Sequence, residues 1–177
     1  MKHSLLILLA IAPALITATT VRPVSIETMA GQASLIAEGH AVSSWSQWNP
    51  QHTMIITYTR FRVSRALKGA AGGEVTIRQP GGSVGVYKDV VHGLRYLKSG
   101  EEAVVFLQES DDHDGSMVIV GLMQGMFRMS RDNSGEPYVS NGVSGVQVQG
   151  DSGAVTDFRG SRVPLSEFEA RVTKVAK

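Results

Sequence analysis

The sequence predicts a mainly β fold, a small barrel with a short N-terminal helix and a C-terminal helix packed outside it. Three observations lead there. Nineteen glycines and 6 prolines in 177 residues break the chain too often for a few long helices and suit many short elements joined by turns. From Thr53 to Leu67, the residues Ile55, Thr57, Thr59, Phe61 and Val63 alternate with Ile56, Tyr58, Arg60, Arg62 and Ser64, the period-2 pattern of a half-buried strand. Helical spacing shows only near the two ends. At 42% hydrophobic and 19% charged the chain has the composition of an ordinary globular domain, which argues against disorder, a coiled coil and a polytopic membrane protein.

Residues 1–18 read as a secretory signal peptide. Lys2 supplies a positive start, Leu5 to Ile16 are apolar but for Pro13, and Ile16-Thr17-Ala18 offers a small residue for cleavage. A transmembrane helix needs roughly 20 apolar residues, more than this run provides, and Ala18 is followed by no cysteine that could carry a lipid. The expectation is an exported protein, periplasmic or extracellular, with no membrane anchor. Cleavage after Ala18 removes Lys2 and, with 17 basic and 16 acidic residues in the whole chain, brings the net charge to zero. Neutrality disfavours a nucleic-acid partner, whose affinity rests on phosphate neutralisation. The chain has no cysteine, so its core must stand without disulfides, and a domain of roughly 160 residues buries enough surface to do so. Residues 19–177 are expected to form one domain.

The elements follow in order. Ser25 caps a short helix whose apolar residues Ile26, Met29, Ala30 and Ala33 recur at helical spacing. Leu35 to Val42 reads as a strand, Thr53 to Leu67 as the long alternating strand, and Glu74 to Gln79 as a third, ended by Pro80-Gly81-Gly82. Val84 to His92 is extended. Ala103 to Leu107 is apolar on both faces, as in a strand at the centre of a closed sheet. Asp111 to Gly115 forms a hairpin tip before a strand from Met117 to Met123. Met126 to Ser130 and Tyr138-Val139 make a further hairpin. Gly142 to Gly160 is a long glycine-rich loop with a weak strand at Val146 to Val148. Ser166-Glu167-Phe168-Glu169 matches a capping box, and Leu165, Phe168, Val172 and Val175 mark one face of a helix over about 165–176. Six or so short strands between two helices suggest the small barrel.

Several motifs bear on chemistry. Gly81-Gly82-Ser83-Val84-Gly85 fits the G-x-S-x-G nucleophile elbow, but that elbow opens a helix and the residues that follow are β-formers; a glycine turn is preferred. The Asp111 to Gly115 cluster with His113 does not fit a calcium loop, since Gly121 falls where the bidentate Glu belongs. His40, His52 and His92 show no ligand spacing. The sequence therefore implies no enzyme activity, no metal site and no cofactor. Tyr58, Arg60 and Arg62 share one strand face that could hold a carbohydrate or a nucleic acid by charge and stacking, or be solvated. Trp45 and Trp48, in a polar stretch ending at Asn49-Pro50, are an exposed aromatic loop that grips a partner or a cap on the barrel.

The helix, then Ser34-Leu35-Ile36-Ala37-Glu38-Gly39-His40-Ala41-Val42, then Phe61-Arg62-Val63-Ser64-Arg65-Ala66-Leu67-Lys68-Gly69, resembles netrin-like domains and the inhibitory domain of the tissue inhibitors of metalloproteinases (TIMPs). Gly100-Glu101-Glu102-Ala103-Val104-Val105-Phe106-Leu107 is similar to the strand after that family's crossover, and the likeness spans about residues 19 to 130. It implies a closed OB-type barrel and a non-enzymatic protein that binds a protein partner, a zinc metalloprotease in particular. Two segments carry the family's contacts. Thr19-Thr20-Val21-Arg22-Pro23 resembles its N-terminal Cys-Thr-Cys-x-Pro, and Pro80 to Tyr87 resembles its loop ending Ser-Val-Cys-Gly-Tyr, so the implied partner-binding residues are Thr19, Thr20, Val21, Arg22, Pro23, Gly82, Ser83 and Val84. The implied mechanism is chelation of the protease's zinc by the α-amino and carbonyl groups of the first residue. An α-amino pKa of about 7.7–8.0 leaves a neutral fraction for this. The family's disulfide between the two segments is absent, because Thr19 and Gly85 stand at or near the cysteine positions. The alternative from the same barrel type is a carbohydrate- or nucleic-acid-binding face at Tyr58, Arg60 and Arg62.

Overall fold

A computed structural model describes residues 20–142, 147–149, 155–157 and 160–175. The signal-peptide segment and Thr19 lie outside the described residues, as does most of the stretch from 143 to 159.

Strand β1 (Thr20–Val21) and helix α1 (Ile26–Gln32) lead into the two longest strands, β2 (Leu35–Trp48) and β3 (Ile55–Lys68), and then β4 (Glu74–Pro80). A short hairpin of β5 (Gly82–Val84) and β6 (Tyr87–Asp89) follows, then β7 (Glu102–Glu109), β8 (Met117–Ile119), β9 (Met126–Arg131) and β10 (Pro137–Ser140). Strands β11 (Gln147–Gln149), β12 (Val155–Asp157) and β13 (Arg162–Pro164) precede helix α2 (Leu165–Val175). The fold is mainly β, with thirteen strands among the described residues in place of the six or so expected. The strand expected over Met117 to Met123 ends at Ile119, because Gly121 and Leu122 take left-handed backbone angles in a turn.

Five strands make a ring: β7 pairs with β2, β2 with β3, β3 with β4, β4 with β8, and β8 returns to β7. The join between β4 and β8 is parallel and short, holding only Ile77↔Met117 and Arg78↔Val118 in register. Along the edge that β8 occupies at Leu107 to Glu109, β7 also pairs through Ala103 to Val105 with β9, and the sheet continues through β10 to β13. The apolar character of β7 on both faces is explained by this position. Ala103, Val105 and Leu107 point into the ring with Leu35, Phe61 and Ile77. Val104 and Phe106 point the other way, into a second core beneath α1 and α2. There Phe127 and Phe168 sit 4.8 Å apart, and Phe106 lies within 6 Å of both.

Local chemistry explains the ends of these elements. Ser25 caps α1 as expected, its hydroxyl accepting from Thr28 N at 3.1 Å. Lys68, at the end of β3, donates to the Ala30 carbonyl at 2.6 Å and so satisfies the helix C-terminus. Ser166 is not a cap: α2 already runs from Leu165, and Glu169 is drawn to Arg65 on β3, together with Glu38. Arg171 of α2 grips Glu27 of α1 through two hydrogen bonds of 2.7 and 3.1 Å.

Strand β2 shifts register against β3 at Ile36/Ala37, Glu38/Gly39 and Ala41/Ser43, bulges that bend a strand around a ring. Gly39 is required there, since a Cβ would stand 1.9 Å from the Arg62 carbonyl oxygen. The third shift is pinned by the turn before β7: Ala41 N donates to the Glu101 carbonyl at 3.0 Å, Gly100 N to the Ala41 carbonyl and Ser99 Oγ to the Val42 carbonyl, both at 2.8 Å.

Candidate functional site

The chemistry-bearing residues gather on the outer half of the β2–β3 hairpin. The stretch expected as an aromatic loop, Trp45 to Trp48, is strand, because the chain turns only after it. Asn49 builds that turn: its side-chain oxygen accepts from Thr53 N at 2.8 Å and its amide donates to Thr53 Oγ1 at 2.9 Å. Successive side chains therefore alternate between faces. Ser44, Ser46 and Trp48 share one face with Thr59, Thr57 and Ile55, while Trp45 and Gln47 share the other with Tyr58.

The first face supports the β5–β6 hairpin. Ser46 Oγ and Thr57 Oγ1 lie 2.8 Å apart, and Thr57 Oγ1 donates to the Gly81 carbonyl at 2.7 Å. Tyr96 Oη donates to the Pro80 carbonyl at 2.8 Å. Gly82 has φ of 132°, and a Cβ there would stand 2.3 Å from Thr57 Oγ1, so no other residue could take this seat without displacing the clip. A cleft of about 360 Å³ opens beneath the hairpin, lined by Ser46, Thr57, Lys88, Leu94 and Tyr96 among others. Ser83 is exposed on β5 and is followed by β6, where a nucleophile elbow would need a helix. Val86 is 94% exposed, Tyr87 61% and Val90 57%. Tyr87 meets Trp48 edge to face at 5.5 Å, which joins the tips of the two hairpins.

The second face differs from the basic stripe expected. Arg62 is held by Glu74 at 2.7 Å and Arg60 lies 3.7 Å from the same carboxylate, so both guanidinium groups have an acidic partner. Tyr58 stacks on Trp45, its register partner, with ring centres 5.6 Å apart and planes 16° from parallel. Arg78 of β4 reaches across to Ser110 at 3.0 Å and pairs with Asp112. Asp114 accepts from Ser116 N at 2.9 Å. The bond from the Ser116 hydroxyl foremost, with this backbone contact, holds the Asp114 carboxyl below the usual carboxylate range. Burial, and secondarily the charges of Asp114 and Asp112, push the Tyr58 phenol up. The Asp111 to Gly115 tip is thus a hairpin end, as expected, and also a neighbour of the aromatic pair.

The N-terminal residues are held elsewhere. Thr20 and Val21 pair in parallel with Gln147 and Val148. The Arg22 carbonyl accepts from Gln124 Nε2 at 2.9 Å, and Val24 N donates to Gln124 Oε1 at 2.8 Å. Gln124 is buried and also accepts, through its carbonyl, from Asn141. Among the described residues no strand pairing or hydrogen bond joins Thr20 to Pro23 with Gly82 to Val84. No group of three or more His, Asp or Glu side chains is gathered as a metal site among the described residues, and no helix there is long and apolar enough to cross a membrane. No family model, curated protein or solved structure matches the chain.

Proposed function

We propose that the protein is an exported, non-enzymatic binding protein, a closed OB-type barrel of netrin/TIMP-like kind, and that it holds a protein partner through the β5–β6 hairpin. The partner that the resemblance implies is a zinc metalloprotease. The observation carrying this reading is the exposure of Val86, Tyr87 and Val90 on one short hairpin. Burying each such side chain against a partner contributes about 1.5–3 kcal/mol, and clustered apolar exposure of this kind is what marks interaction surfaces. The hairpin is held in place before binding by the Ser46, Thr57 and Tyr96 hydroxyls. Little ordering entropy is then spent on association.

Zinc chelation by Thr19 is the second contribution. Its support is the tethering of the residues that follow it: β1 is paired with β11 and the Gln124 side chain fixes Arg22 and Val24. These bonds order the N-terminal segment itself, though they do not tie it to the Pro80 to Tyr87 loop as the family's disulfide does. The ring of five strands supports the barrel assignment, with the short β4–β8 join as its closure.

The test is inhibition of a matrixin-like zinc protease by protein beginning at Thr19. Val86→Asp with Tyr87→Ala should weaken inhibition about a hundredfold, as expected when apolar anchors at an interface are removed. One extra residue before Thr19 should remove the chelating contribution. Absence of inhibition by the unaltered protein, or full inhibition by the double variant, would overturn the proposal.

A further inference from the structure

We infer that the aromatic face of the outer β2–β3 hairpin is a binding site for a neutral oligosaccharide. It centres on Trp45, Gln47 and Tyr58, on the face of the sheet turned away from the β5–β6 hairpin, with Trp48 of the larger cleft also touching that hairpin, and stands independently of the protein partner proposed above.

Two clefts, of about 770 and 320 Å³, meet at Tyr58, and Gln47 and Asp114 line both. Ligand sites usually measure about 300–1,000 Å³, so the pair has room for more than one sugar residue. Trp45, 43% exposed, borders the smaller cleft and Arg78 the larger.

A pyranose ring presents a flat face of C–H bonds and an edge of hydroxyl groups. The indole of Trp45, steadied by its stacking on Tyr58 and 43% exposed, offers a flat apolar surface to the first, and with two side-chain torsions it loses little entropy on binding. Hydroxyl edges are matched by planar groups that present two polar atoms side by side. Gln47, Arg78, Asp112 and Asp114 are such groups, and three of them are already fixed. Arg78 is bound to Ser110 and Asp112, and Asp114 to Ser116. The Tyr58 hydroxyl keeps its proton and can donate.

Charge selects against the other occupants. Arg78 is neutralised by Asp112, which leaves Asp114 as excess negative charge in the lining. The nearby Arg60 and Arg62 share the one carboxylate of Glu74, and the positive charge left over there is matched by Asp114, so these six groups together carry no net charge. A polyanion needs free cations to replace its counterions, and the one arginine among the described residues lining the two clefts is paired with Asp112. A neutral sugar chain needs only the stacking surface and the planar polar groups.

The experiment is titration of the full chain with cellohexaose, chitohexaose, maltohexaose and xylohexaose, followed by tryptophan fluorescence and calorimetry. At least one of these should bind saturably. Trp45→Ala should lower that affinity about tenfold or more, Asp114→Asn should lower it severalfold, and Val86→Asp, at a side chain 94% exposed, should leave it unchanged. Circular dichroism identifies a variant that has not folded, and the exposed Asp114→Asn change then decides alone. No saturation by any of the four at millimolar concentration would overturn the inference. So would undiminished binding by the folded variants, or preferential binding of a heparin oligosaccharide.

Discussion

On one face of the outer β2–β3 hairpin, Ser46 and Thr57 are occupied in clipping down a neighbouring hairpin; on the other, one strand position away, Trp45 and Tyr58 stack on each other at the edge of open clefts. The same two strands thus supply a structural face and a binding face. Small hydroxyl side chains, which reach only adjacent backbone, build the support. Large amphipathic rings, which reach beyond the sheet, build the recognition surface. Alternation along the strand, and not distance along the chain, separates the two roles.

Three changes break or sharpen this contrast. The largest effect lies away from both faces. Phe168 of α2 fills the second core against Phe106 and Phe127, so Phe168→Ala should cost about 3–5 kcal/mol in chemical denaturation. Protein that remains folded should keep both binding activities, and loss of sugar binding at full foldedness would show that the outer hairpin is not an independent platform. Next comes Gly82→Ala. Its added methyl meets Thr57 Oγ1 and Ser46 Oγ at a φ of 132°, which should cost about 1–3 kcal/mol. Protease inhibition should fall while the saccharide titration stays the same; an equal loss of both would unite the two faces.

The smallest effect is acid sensitivity in the helix layer. Arg171, by hydrogen bonding foremost, holds the Glu27 carboxyl down from 4.5 to about 2. A carboxyl depressed in the folded state stabilises fully above its unfolded pKa, and the contribution fades as pH falls from about 4.5 toward about 2. Both partners are more than a third exposed, so solvent screening leaves about 0.5–1 kcal/mol. Thermal unfolding should show the unaltered protein ahead of Glu27→Gln near neutral pH, with the gap closing toward pH 2 and neither binding face involved. A gap that is constant with pH would dismiss the ion pair as its source.

Much of the scaffold was legible in the sequence because local pattern determines it. The alternation in β3, the doubly apolar β7, the Ser25 cap and the helical face of Phe168 and Val172 are all short-range signals, and all four describe the structure. The outer half of β2 was hidden because Trp45-Ser46-Gln47-Trp48 is polar by composition, and its strand character comes from pairing with β3 and from the Asn49 turn. The candidate site was legible only in part. Tyr58 was visible as a face residue, but the Glu74 partner of Arg60 and Arg62 joins residues on separate strands. The approach of Arg78 to Asp112 spans 34 positions, and Gln124's hold on Arg22 spans 102; no periodicity announces such contacts. The Ser166 capping box misled because a four-residue motif carries no information about where the preceding strand stops.

The register shift between Ala41 and Ser43 acts as a change of phase. Before it, the odd-numbered residues Leu35, Ala37 and Ala41 look into the ring; after it, the even-numbered Ser44 and Ser46 stand beside the inward Thr59 and Thr57. Because the side-chain period of a strand is two, one residue added or removed exchanges its faces. Val42 is the unpaired residue of that bulge, so deleting it alone would leave Ala41 on Phe61 and Ser43 on Arg60 in an unbroken ladder, removing the bend while Trp45 stays opposite Tyr58. The identity of the binding face is therefore written in the count of residues between the bulge and the Asn49 turn, and a lineage could invert that surface by inserting or deleting one codon between Ser43 and Trp45.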